Sequence, residues 1–312
     1  MLVDAAARLR TPPPFAVINA RGSSGYAGLF AKYLIESECA VFAGHFAQSS
    51  VTAYHVRPAL RGAWFLSISQ SGQSPDLIES AAAARDAGAL TMAIVNAPNS
   101  PLAAASEIEL PMMAGTESST GATKSFIAPL AIVLGLAAAW RAESPLEKTF
   151  RALPEALSKA AAECVPGFEE TFAPAAHSFT IGRGFGYALA GEAALKFKEL
   201  CGHHAEAFSA AEVLHGPIAM ADKRLGVLAF DQLDATSESI RAASDSAVAG
   251  GARAIAIRAA PPPPGEPDRP FNAAARAIPL ILTFYRHVEG LARRLGHDPD
   301  HPNLIAKVTG TR

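Results

Sequence analysis

The sequence predicts an α/β protein made of two copies of one unit, each a parallel sheet flanked by helices. Three observations predict it. First, a strand, glycine turn and helix appear twice: Phe15–Ala20 leads into Arg21-Gly-Ser-Ser-Gly-Tyr-Ala27, and Ser178–Ile181 into Gly182-Arg-Gly-Phe-Gly-Tyr-Ala188. The shared RG…GYA text sets Arg21 on Arg183, an offset of 162. Second, the same offset sets Trp64–Ser69 on Gly226–Asp231 and Ala89–Asn96 on Gly251–Arg258. Third, these strands are apolar throughout and alternate with alanine-rich helical stretches, so both sheet faces are buried under helices. At 312 residues the chain is about twice the usual single-domain size, which suits a duplication.

Composition narrows the function. Half the residues are hydrophobic, 18% are charged and mean hydropathy is +0.18, which excludes a disordered protein. Twenty-seven basic and 29 acidic side chains leave a net charge of −2, no footprint for nucleic acid or an anionic membrane. Cys39, Cys164 and Cys201 form no CxxC pair, so neither a disulfide framework nor structural zinc is expected, and a reducing cytoplasm fits. Met1–Arg10 holds Asp4, Arg8 and Arg10 and lacks the apolar run of a signal peptide. The longest apolar run, Phe126–Trp140, contains Pro129 and Gly135 and is shorter than the roughly twenty residues of a membrane span. It reads as a buried helix, in a core or a subunit interface.

In chain order, residues 1–144 make the first copy, 145–296 a connecting helix and the second copy, and 297–312 a polar tail. Pro145–Pro166 carries the connecting helix, and Pro261–Pro267 is a solvated loop. Pro279–Leu295 reads as an amphipathic helix with Gly296 as its stop.

In open α/β sheets ligands sit beyond the carboxyl ends of the strands. The first copy has Ser69-Gln70-Ser71-Gly72-Gln73-Ser74-Pro75 there, with Ser74 placed as N-cap and Pro75 as first helical residue. Hydroxyl and amide side chains around free N–H groups at a helix start make a phosphate cradle without lysine or metal. An ordinary capped loop explains Ser74 and Pro75 but not the clustering of Ser69, Ser71 and Gly72. The second copy reads Asp231-Gln232-Leu233-Asp234-Ala235-Thr236, whose two carboxylates would repel phosphate. Gly182-Arg-Gly-Phe-Gly186 lacks the spacing and the acidic partner of a dinucleotide site.

Charge enters the second copy on its first helix. Glu192, Lys196 and Glu199, at i, i+4 and i+7, share one face. That pattern describes a solvated face with an ion pair equally well. His203, His204, Glu206, Glu212 and His215 follow closely, without the spacing of a metal site. A carboxylate moving a carbon-bound proton and a histidine working on ring oxygens fit sugar chemistry. No metal or cofactor is expected.

These segments resemble the double sugar-isomerase (SIS) domain family. Ser69–Ser74 is similar to its SQSGET phosphate loop, Glu117–Phe126 to its second substrate loop, Gly191–Pro217 to its catalytic stretch, and Asn303–Thr309 to its closing NLAKSVT segment. The resemblance implies flavodoxin-like three-layer sandwiches, a phosphosugar substrate and a homodimer. It implies that Ser24, Ser69, Gln70, Ser71 and Ser74 hold phosphate and that Thr120 lies in the substrate loop. It gives Glu199 the proton shuttle between C1 and C2, with Lys196 beside it. His215 would open the sugar ring in the neighbouring subunit's site, and Lys307 would form an imine with a ketose. Similar text occurs in the isomerase half of glucosamine-6-phosphate synthase and in stand-alone glucosamine-6-phosphate deaminases. Leu2 stands where the synthase has a cysteine, so glutamine is not the expected nitrogen source. Gln73-Ser74 replaces Glu-Thr, and Gly121 and Ala122 stand where others have Ala or Ser. The expected reaction is deamination of glucosamine 6-phosphate to fructose 6-phosphate; another phosphosugar isomerisation, ammonia-dependent synthesis and a non-catalytic sugar-phosphate sensor are the alternatives. A sensor would need neither Glu199, His215 nor Lys307.

Overall fold

Apolar runs of four to seven residues form the central strands, and the alanine-rich stretches between them form the covering helices. The computed structural model describes residues 1–261, 265 and 269–302. Among the described residues the chain divides into two compact units: Met1–Glu117 with Lys124–Phe150, and Ser118–Thr123 with the chain from Arg151 to Pro302.

The first unit runs α1 (Leu2–Ala7), β1 (Ala16–Asn19), α2 (Gly22–Cys39), β2 (Ala43–His45), α3 (Gln48–Thr52) and β3 (Trp64–Ser69). It continues through α4 (Pro75–Asp86), β4 (Leu90–Val95), α5 (Pro101–Ala105), β5 (Ile108–Pro111), α6 (Lys124–Arg141) and the first part of α7 (Ser144–Ala160). Its strands lie in the order β2-β1-β3-β4-β5, all parallel. Alternate residues serve opposite faces. Val17, Phe65, Ala93 and Val95 pack with Leu77, Ala81, Ala84 and Leu102 of α4 and α5. On the other face Trp64 meets Trp140 of α6 edge-on, ring centroids 5.8 Å apart. Helix α2 lies so close to β1 that a Cβ on Gly28 would come within 2.5 Å of Ile18 Cγ2. Helix α6 contains the Phe126–Trp140 run. Among the described residues it is the one helix long and apolar enough to cross a membrane, and 56% of it is buried within the protein, as a core helix is.

The second unit holds the rest of α7, then α8 (Phe168–Phe172), β6 (His177–Gly182), α9 (Phe185–Cys201) and β7 (Ala205–Ser209). Two 3-10 turns, Val213–His215 and Pro217–Met220, precede β8 (Leu225–Asp231), α10 (Ser237–Ala249), β9 (Arg253–Arg258) and α11 (Pro270–Arg294). Its sheet has the order β7-β6-β8-β9, again parallel. Phe168, Phe172, Phe197 and Phe284 cluster between α8, α9 and α11. Gly182 permits the tight strand-to-helix turn, since a Cβ there would meet the Gly186 carbonyl oxygen at 2.1 Å.

The duplication is present in the register. Ala16 pairs with Trp64 and Ser178 with Gly226; Ala16 pairs with Ala43 and Ser178 with Ala205. The last strand corrects the sequence alignment by one residue: Trp64 pairs with Leu90, whereas Gly226 pairs with Arg253, an offset of 163. Helix α10 is one residue longer than α4, which absorbs the insertion. A second correction concerns the last helix, which begins at Pro270 and carries Pro279 inside it. Proline at 270 sits in the first turn, where its missing N–H costs nothing. Leu295 caps the helix, and Gly296 follows with φ +83°.

Candidate active site

Two constellations stand out, one in each unit. In the first, the β3–α4 loop turns beyond the carboxyl end of the sheet. Gly72 has φ +61°, and a Cβ there would lie 2.2 Å from Ser100 Oγ, so only glycine fits. The Gly72 N–H donates to Ser69 Oγ at 3.0 Å and the Gln73 N–H to Ser71 Oγ at 3.3 Å. Ser69 is buried, Gln70, Ser71 and Ser74 are half-buried, and Ser24 is half-buried in the first turn of α2. Ser74 occupies the N-cap position of α4, but its hydroxyl makes no capping bond. The first N–H groups of α4 therefore keep their donor capacity, and the helix end favours negative charge.

Several residues that the sequence did not single out fix this region. Asn19, fully buried at the end of β1, donates to Ser67 Oγ and the Leu77 carbonyl, each at 3.0 Å, and accepts from Gln48 Nε2 at 3.1 Å. Arg21, at the N-cap of α2, pairs with the buried Asp76 carboxylate in the first turn of α4 at 3.0 Å. The guanidinium thus cancels a negative charge that would otherwise oppose an anion at the same helix end. Glu117 accepts from both the Ser125 N–H (2.8 Å) and Ser125 Oγ (2.9 Å) at the start of α6.

In the second unit, α9 carries the charged face. The solvated alternative fails: Glu192 is 0% exposed and Lys196 1%. The Lys196 ammonium lies 2.5 Å from Glu199 Oε2 and 3.4 Å from Glu192 Oε1. Tyr285 of α11 donates to Glu192 Oε1 at 2.8 Å. Burial pulls the Lys196 pKa down, but the two carboxylates outweigh it and hold the ammonium above its ordinary value. Glu199 is the partly open member, its side chain 22% exposed. It lines a cavity of about 390 Å³ with Lys198, Gly202, His297, Asp298, His301 and Pro302. A carboxylate tethered by a buried ammonium and open to a cavity is equipped to take and return a proton.

The remaining predicted residues distribute as follows. Thr120 is half-buried in the 118–123 segment, where Ser119 Oγ donates to the Pro299 carbonyl at 3.3 Å. Neighbouring Gly121 has a physical reason for lacking a side chain: a Cβ there would come within 2.6 Å of Leu200 Cδ2. His215 is exposed at the end of a 3-10 turn and is not among the residues lining the Glu199 cavity. His203 belongs to the core, with Nε2 at 2.7 Å from Ser178 Oγ, and burial pushes its pKa down, aided by His177 and His204. Lys307 lies outside the described residues.

Residues 16–139 and 171–263 match the family model described as the SIS domain. The chain therefore belongs to the SIS domain family. It is 31% identical, over 93% of its length, to the glutamine–fructose-6-phosphate aminotransferase (isomerizing) of Mycolicibacterium smegmatis, covering 50% of that protein. Its identity to the Thermotoga maritima protein of the same name is 35%, over 92% of this chain and 50% of the relative. The chain thus spans about half the length of these curated relatives. Among solved structures, a protein from Silicibacter pomeroyi DSS-3, provisionally named a phosphosugar isomerase, superposes with a TM-score of 0.88 at 34% identity, covering 96% of this chain and 92% of that one.

Proposed function

We propose that this chain is a phosphosugar aldose–ketose isomerase of the deaminating kind, converting glucosamine 6-phosphate and water to fructose 6-phosphate and ammonia. The observation that carries the reading is the Glu192–Lys196–Glu199 group: a buried ammonium between two carboxylates, one of them facing a cavity. Family membership and the Silicibacter pomeroyi neighbour support a phosphosugar as substrate. In this reading the phosphate is held by Ser24, Ser69, Gln70, Ser71, Ser74 and the open N–H groups of α4. Thr120 contributes to sugar binding. Glu199 removes the C2 proton of the open-chain amino sugar and returns it at C1. The C2–N bond becomes a ketimine, which water hydrolyses, releasing ammonia and leaving the C2 ketone. Lys196 stays charged and stabilises negative charge developing in the transition state.

His215 is exposed, and we assign it to ring opening in the site of a second copy, so a homodimer is the smallest active unit. Lys307 is proposed as the residue that forms an imine with the ketose. The test supplies glucosamine 6-phosphate and measures ammonia and fructose 6-phosphate, then repeats the assay with fructose 6-phosphate plus ammonia and with glucose 6-phosphate. Ammonia release supports deamination. Isomerisation of glucose 6-phosphate without ammonia release would replace it with plain isomerisation.

A further inference from the structure

Resting on the reading of Glu199 as the proton-transfer base, we propose that Tyr285 is a positioning residue for it, acting through Glu192 and Lys196. Tyr285 reaches α9 from α11, across 93 residues of sequence, and its hydroxyl donates to Glu192 Oε1 at 2.8 Å. The same oxygen is the one nearest the Lys196 ammonium, at 3.4 Å, while Glu199 Oε2 takes that ammonium at 2.5 Å. Two carboxylates therefore compete for one buried cation. A hydroxyl donating to Glu192 offsets part of that carboxylate's charge and weakens its hold on Lys196. The ammonium is left closer to Glu199, whose Oε2 it fixes at the edge of the cavity.

Stability alone does not account for this arrangement. Burying one cation with two anions is costly, and well-packed apolar side chains often do as well. The first unit supplies the comparison. At the offset of 162, Glu192 and Lys196 correspond to Phe30 and Leu34 of α2, each 0% exposed. An apolar pair fills that face in one copy; a charged pair, held by a tyrosine, fills it in the other. The charged pair leads to the one member open to a cavity, whose other polar lining is Lys198, His297, Asp298 and His301. Asp298 is itself engaged with His301 Nδ1 at 3.0 Å, which leaves Glu199 as the carboxylate tied to a buried cation there.

Tyr285→Phe keeps the ring and removes the hydroxyl that donates to Glu192. With glucosamine 6-phosphate, kcat should fall about tenfold, the worth of one hydrogen bond to a charged group, while KM stays within twofold. Because the effect runs through Glu192, adding Tyr285→Phe to Glu192→Gln should change kcat less than twofold. A kcat within twofold of wild type in Tyr285→Phe, or an equal tenfold loss in both backgrounds, would overturn the proposal. Should the wild type turn over no phosphosugar, the functional reading fails and a second measurement still decides the positioning. In ¹⁵N-lysine-labelled protein, exchange of the Lys196 ammonium protons should slow at least severalfold in Tyr285→Phe, as Glu192 draws the ammonium away from the cavity edge. Exchange at the wild-type rate would reduce Tyr285 to a packing role.

Discussion

At matching places in the two units the chain leaves a central strand and starts a helix, yet the two loops treat the helix end differently. In the first unit the β3–α4 loop offers hydroxyls and glycine, and the Ser74 hydroxyl makes no cap. In the second, carboxylates built into the β8–α10 loop bond to donors within the loop and at the start of α10. Asp231 Oδ1 accepts from the Leu233 N–H at 3.0 Å and from Ser237 Oγ at 2.6 Å; Asp234 Oδ1 accepts from the Thr236 N–H at 2.8 Å. Arg276 closes over the loop onto the Gln232 and Leu233 carbonyls. The first loop carries no carboxylate between Ser69 and Ser74; the second carries Asp231 and Asp234, both bonded internally. The first helices differ in the opposite sense, apolar Phe30 and Leu34 in α2 facing the charged Glu192 and Lys196 of α9. The two units thus share one frame and carry different polar equipment on it.

The largest effect should come from breaking the charged face. Lys196→Met leaves two carboxylates without their buried cation and should cost about 3–5 kcal/mol in urea unfolding. Copying the first unit instead, with Glu192→Phe and Lys196→Leu together, should recover much of that loss while turnover stays abolished. If the double variant kept activity, the contrast between the helices would have no functional meaning.

Ser71→Asp transfers the character of the second loop to the first. Like charge at the open helix end should raise KM for a phosphosugar about tenfold or more, equivalent to losing a charge-assisted hydrogen bond. Gly72→Ala tests the backbone of the same loop. The φ of +61° and the approach to Ser100 Oγ predict a loss of about 1–3 kcal/mol, read as a lower Tm.

The smallest effect concerns pH. Ser178 and His203 stand where the first unit has buried Ala16 and Val41. Burial holds the His203 pKa below its ordinary value, so the unfolded chain binds the proton more readily than the folded one. The contribution is complete above the usual imidazole pKa of about 6.5 and declines as pH falls below it. Thermal unfolding between pH 8 and 5.5 should show this decline in wild type and a shallower one in His203→Gln. Equal slopes would show that His203 does not set this pH dependence.

Much of this was legible because the duplication is written in the strands. Apolar runs bounded by glycine turns gave the register of β1 with β6 and β3 with β8. The slip at β9 was not legible: Ala252–Ile257 is apolar enough to satisfy either register, and only an extra residue in α10 decides it. Pro279 read as a helix start because proline suits a first turn, whereas the chain tolerates it inside α11. The turn at Ser69–Ser74 is legible, since its glycine and hydroxyl contacts need no distant partner. Burial of the Glu192–Lys196 face was not. The same spacing serves a solvated helix, and what buries it, including Tyr285, lies on α11 far along the chain. In the sequence Arg21 reads only as a repeat marker, because its partner Asp76 belongs to another helix.

In the proposed function anion binding resides in the first unit and proton transfer in the second, and Glu199→Gln separates the two. Fructose 6-phosphate in D₂O with ammonia would be followed by NMR for deuterium entering C1, and its affinity measured by calorimetry. Exchange should slow by about two to four orders of magnitude, with affinity within threefold of wild type. Exchange at the wild-type rate in Glu199→Gln would contradict that division.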